Sequence, residues 1–120
     1  MVRPAQPVLG ALVLACKQPV TAFSDLDQDA FSELQLAIKA IETMLKAAVD
    51  YEKINYLMLM MVDPHVHFHV MPRYSGTREW HGIELTDDGW PGQPDLGKAV
   101  KLTLEQQKDM VTFLRDHRSN

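Results

Sequence analysis

The sequence predicts an α+β fold: an antiparallel sheet with one main helix packed on it and a second helix at the C-terminus. Three observations carry this. An apolar stripe at helical spacing follows Asp27, a strictly alternating segment runs from His65 to Met71, and a capped amphipathic segment starts at Thr103. With a short apolar run before the first helix, the order is strand, helix, strands, loop, helix.

Ala11 to Ala15 (ALVLA) follows Gly10 and reads as a buried strand. Lys17 to Ala22 reads as extended chain or turn, because Pro19 restrains Gln18 and cannot donate to a ladder. Asp27 suits an N-cap, Asp29 adds charge to the first turn, and Leu26 is placed to staple onto Phe31. Phe31, Leu34, Ile38, Ile41 and Leu45 then give one apolar face as far as about Val49.

Ile54 to Val62 (INYLMLMMV) is almost continuously apolar and reads as a strand covered on both faces, with its methionines as core filler. After Asp63-Pro64, His65 to Met71 (HVHFHVM) alternates, putting His65, His67 and His69 on one face and Val66, Phe68 and Val70 on the other. A tight Asp-Pro junction between these segments implies an antiparallel pair. Tyr74 to Lys98 is rich in Gly and Pro and reads as a long loop, with Trp80 and Trp90 as lid or dimer contacts. Thr103 with Gln106 forms a capping box for a last helix, about residues 103–116.

The 120 residues suit a single domain, 1–120, with one core. An apolar fraction of 46% and a charged fraction of 23% are those of an ordinary globular protein. A net charge of −4 with scattered basic residues argues against an extended nucleic-acid surface. No run approaches the ~20 residues that span a bilayer, and Met1 to Gly10 lacks the apolar stretch of a signal peptide. A cytoplasmic location is expected. The lone Cys16, in an apolar run, reads as a buried inert thiol.

The histidines carry the chemistry. Three imidazoles at alternate positions of one strand stand roughly 6.6 Å apart, and buried unpaired polar groups cost about 1–3 kcal/mol each. Such a row needs partners, and clustered titratable groups mark functional sites. Two readings compete on spacing alone: zinc chelation by neutral imidazoles, or nucleophilic attack by one imidazole with its neighbours as tautomer-setting and acid groups. Of the other two, His81 reads as a solvated loop residue and His117 as an exposed terminal one.

The segment Pro64 to Arg73 (PHVHFHVMPR) resembles the signature of the histidine triad superfamily. GALVLACKQPV (10–20), FSDLDQDAFSEL (23–34), KIN (53–55) and DGWP (88–91) are similar to flanking segments of that family, in the same order. The similarity covers most of residues 7–95 and points to the branch of dinucleoside polyphosphate hydrolases. The resemblance implies a nucleotide hydrolase that cleaves at the α-phosphate of dinucleoside polyphosphates or nucleoside phosphoramidates through a nucleotidyl-histidine intermediate. It leaves open a nucleotidyl transferase, or a nucleotide-binding protein of low turnover. By the same resemblance His67 is the nucleophile, His69 lies near the phosphate and leaving group, and His65 braces the loop. Asn55, Met61 and Arg73 fall at the substrate, no metal or cofactor is required, and a homodimer is expected. A histidine nucleophile needs an acceptor for its other nitrogen, and a backbone carbonyl of the neighbouring strand is expected there. Arg73 reads either as a phosphate contact or as an exposed strand-end charge. The sequence departs from the family where Ala11 stands for a further histidine and where Val62, Asp63 and Pro64 replace a Gly-Gln or Gly-Ser pair. The N-terminal strand expected before Gly10 is largely absent.

Overall fold

The computed structural model describes residues 1–118. Its elements are β1 (Ala5–Gln6), β2 (Leu12–Ala15), α1 (Gln28–Val49), β3 (Lys53–Leu57), β4 (His67–Arg73), β5 (Thr77–Trp80), β6 (Ile83–Thr86), β7 (Val100–Lys101) and α2 (Leu104–Arg115). The α+β class and the antiparallel sheet are as expected. β4 lies at the centre of a three-stranded sheet in the order β2-β4-β3.

The local signals for the helices hold. Asp27 caps α1 by accepting from the Ala30 N–H at 2.8 Å, and Asp50 closes it in the left-handed region with φ 52°. Thr103 and Gln106 form the capping box of α2. Phe31 has Phe23 as its aromatic partner, the rings stacked at 5.7 Å.

Alternation fixes what the sheet presents to each side. Phe68 and Val70 point toward α1, where Leu45 and Val49 are buried, and Tyr56, paired with Val70, donates from its hydroxyl to Glu42 of α1. Gly10 (φ +86°) lets this layer close, because a Cβ there would stand 3.0 Å from Val49 and 3.1 Å from Leu45. The opposite side of β4 carries His67, His69, Met71 and Arg73.

The strands around the histidines differ from expectation in their bounds. β3 ends at Leu57 instead of reaching Val62. The chain leaves extended conformation at Met60 (φ 40°), and Leu59, Met61 and Val62 are exposed. The junction to β4 is therefore a loop, residues 58–66, and not a tight turn. β4 itself begins at His67; ahead of it Val66 pairs instead with the segment after β2, donating to the Val20 carbonyl and accepting from the Cys16 N–H.

The stretch from Tyr74 to Lys98 is not a plain loop. β5 and β6 form an antiparallel hairpin in which Trp80 pairs with Ile83. His81 (φ 51°) and Gly82 (φ 77°) make its two-residue turn, both in the left-handed region that such turns demand. Trp80 is buried against Phe113 of α2, a core residue and not a lid.

Toward the N-terminus the missing strand is partly supplied. Val2 bridges Leu12, and β1 pairs with β7. Cys16 is half-buried, not enclosed. His117 is half-buried too, its Nδ1–H donating to the Phe113 carbonyl at 2.8 Å. No helix among the described residues is long and apolar enough to cross a membrane.

Candidate active site

His67 stands at the first position of β4, opposite Ala15 of β2. On the other side β3 has already ended, since its last pair is Leu57 with His69. The 58–66 loop thus borders His67 where a strand would otherwise cover it.

The His67 imidazole is buried and its Nδ1 lies 2.7 Å from the carbonyl oxygen of His65. A carbonyl can only accept, so Nδ1 carries the hydrogen and Nε2 of the neutral ring keeps a free lone pair. The acceptor was expected on the neighbouring strand. It comes instead from the residue two positions earlier, because the chain turns into β4 at that point.

His69 follows on the same face. Its ring meets that of His67 edge to face, with centroids 5.0 Å apart and planes at 77°. Val13 and Leu57 flank it on the two neighbouring strands. Its Nδ1 is buried with no hydrogen-bond partner among the described residues. Burial lowers the pKa of His69, and the positive charge of Arg3 lowers it further. His69 is therefore neutral at pH 7.

His65 lies outside the strand. Its Nδ1 is 2.9 Å from Asp63 Oδ1, and its backbone N–H donates to the same oxygen at 3.0 Å. This two-residue turn holds the Asp63 carboxyl below the usual carboxylate range, the backbone bond contributing most. Asp63 thus ties down the loop whose carbonyl sets the His67 tautomer. The sequence signal was present, since an Asp two residues before a turn N–H is a common local cap.

The structure brings Asn55 and Arg73 together but not to the histidines. Arg73 ends β4, six residues and roughly 20 Å from His67. Both readings of it from sequence are corrected in one respect: it is 2% exposed, and its guanidinium is already bound. Nε donates to Asp87 Oδ2 at 2.7 Å, Nη2 to Asp87 Oδ1 and the Gly92 carbonyl at 2.9 Å each, and Nη1 to Asn55 Oδ1 at 2.8 Å. Both residues line a groove of about 800 Å³ beside β3, walled by Trp90 and the residues after it. Met61 stands in the 58–66 loop with 83% of its surface exposed. Among the described residues no three His, Cys, Asp or Glu side chains are gathered as a metal-ligand set. Sequence reasoning missed Asp87, whose partner lies 14 residues away, and Arg3, which the register of Val2 with Leu12 puts on the histidine side of the sheet.

A buried imidazole with a fixed tautomer, a second imidazole edge-on to it, and a third holding the entering loop define a histidine-bearing sheet protein of the histidine triad class. The chain belongs to the HIT domain family, whose model matches residues 1–76. It is 30% identical over 115 residues to the bifunctional bis(5'-adenosyl)-triphosphatase/adenylylsulfatase of Arabidopsis thaliana, a match covering 88% of this chain and 59% of that protein. The chain thus spans under two thirds of that relative's length. The fold is shared with a histidine triad (HIT) protein of Sinorhizobium meliloti, at TM-score 0.70 and 23% identity over 89% of this chain and 73% of that one. It is shared also with a histidine triad protein of Bradyrhizobium japonicum, at TM-score 0.69 and 19% identity over 98% and 81%.

Proposed function

We propose that this protein is a nucleotide hydrolase that works through a covalent intermediate on His67. The observation that carries the reading is the hydrogen bond from His67 Nδ1 to the His65 carbonyl, which makes Nε2 the nitrogen of the neutral ring that can attack. The name of the Arabidopsis relative, a bis(5'-adenosyl)-triphosphatase, supports the substrate class.

In the first step Nε2 attacks the α-phosphorus and forms an N–P bond. The bond from phosphorus to the leaving group breaks, and that group departs with the electron pair. The bonded His65 carbonyl stabilises the positive charge that the His67 ring acquires. In the second step water attacks the same phosphorus, the N–P bond breaks, and the nucleoside monophosphate leaves with His67 restored.

In this reading His69 handles the leaving group's proton. It is neutral in the free protein, and a bound phosphate raises its proton affinity by placing negative charge beside it. It then donates as the leaving group departs. Pro64 offers no N–H to the phosphate, so side chains carry more of that contact than backbone amides do.

Incubation with diadenosine triphosphate and with a fluorogenic adenosine phosphoramidate tests the reading. Release of the monophosphate from either supports it. Binding of nucleotide with no release above the buffer rate would identify a nucleotide-binding protein of low turnover instead.

A further inference from the structure

Arg3 reaches the histidine face by register. Val2 bridges Leu12, and Leu12 pairs with Val70, whose side chain points toward α1. The next residue along an extended segment points the other way, so Arg3 lies on the side that carries His67 and His69. Its N–H donates to the Ala11 carbonyl at 3.0 Å, and Gln6 ties the turn between them by donating to both the Arg3 and the Ala11 carbonyls.

Ala11 is fully buried and offers only a methyl group beneath Arg3. A long side chain thus has room to cross toward His69. Arg3 Nη1 is buried with no hydrogen-bond partner, as is Nδ1 of His69. Among the described residues Arg3 makes no salt bridge. A buried guanidinium N–H without an acceptor is costly, and the acceptors that its fork fits best are carboxylate and phosphate oxygens. The charge of Arg3 is also felt at His69.

We propose that Arg3 is a substrate-binding residue whose guanidinium holds the α-phosphoryl oxygens of the nucleotide beside His67 and His69. The proposal rests on the hydrolase reading for its substrate class. A phosphoryl group there supplies acceptor oxygens for the half-buried guanidinium fork. It also supplies an acceptor for His69 once that ring is protonated.

Calorimetric titration of the full chain with AMP and with adenosine tests this. The wild type binds AMP more tightly than adenosine. Arg3→Gln weakens AMP binding by about 10- to 100-fold, the range of a charge-assisted hydrogen bond, and leaves adenosine within about twofold. Arg3→Lys, which keeps the charge and loses the fork, falls between for AMP and also spares adenosine. It carries the test should Arg3→Gln fail to fold. A wild type that binds AMP no better than adenosine overturns the proposal, as do equal losses for both ligands in the variants. Turnover with AMP affinity unchanged in the variants overturns Arg3 alone. Arg3-dependent AMP selectivity without turnover leaves Arg3 standing and removes the hydrolase reading.

Discussion

The Arg73 guanidinium grips the Asp87 carboxylate through two parallel contacts, Nε to Oδ2 at 2.7 Å and Nη2 to Oδ1 at 2.9 Å, with both side chains nearly sealed from water. Asp87 also accepts from the Tyr74 N–H, and Arg73 reaches Asn55 of β3 and the Gly92 carbonyl. One ion pair thus fastens the end of β4 to β3 and to the segment after β6. Replacing Arg73 by Met leaves a buried carboxylate unpaired. The expected loss is about 3–5 kcal/mol in urea unfolding, and Asp87→Ala falls in the same range. Because the two changes remove one interaction, the double variant loses less than the sum. A loss below about 1 kcal/mol for either single variant contradicts the structural role.

How far the sequence foretold this depended on whether the signal was local. Asp27, Thr103 and Gln106 act within one helical turn, so both helix starts were legible. The alternation from His67 onward set the face of the site. The limits of β3 and β4 were not legible, because a run of apolar residues such as Leu59 to Val62 does not show whether anything covers it. The β5–β6 hairpin was only half legible: Gly82 opens onto IELT, which alternates apolar and polar, but TREW before it is polar up to Trp80 and gives no strand period. The placing of Arg3 on the histidine side and of Asp87 at Arg73 depends on pairings distant in sequence. No spacing rule reaches them.

The turn formed by Asp63 and His65 gives a second prediction. If Asp63 works by accepting from His65, Asp63→Asn keeps an acceptor oxygen and loses little. Asp63→Ala frees the loop that carries the His65 carbonyl. Misplacement of that carbonyl by about 1 Å would lower kcat/KM by up to about 100-fold. Steady-state kinetics on both variants decides, and equal losses for Asn and Ala contradict the assignment.

His69 gives a dependence of stability on pH. Burial lowers its folded-state pKa below the ordinary value of 6.5, so between those two values the unfolded chain binds more protons. Stability from this group is then present above pH 6.5 and is lost as the pH falls through 6.5 toward the folded pKa. His69→Gln, which cannot titrate, flattens that part of the curve. Denaturant midpoints from pH 8 to pH 5 measure it, and an unchanged slope in the variant contradicts the argument.

The most direct test of the account is to trap the intermediate. Mixing the protein with a radiolabelled adenosine phosphoramidate and quenching within one turnover should leave a nucleotidyl adduct on His67. The adduct should be labile in acid and stable in base, as a phosphorus–nitrogen bond requires. His67→Ala should form none and lose about 10⁴-fold or more in turnover while still binding nucleotide, and chelators should change neither result. Turnover without an adduct on His67, or an adduct that maps to another residue, would contradict the central claim.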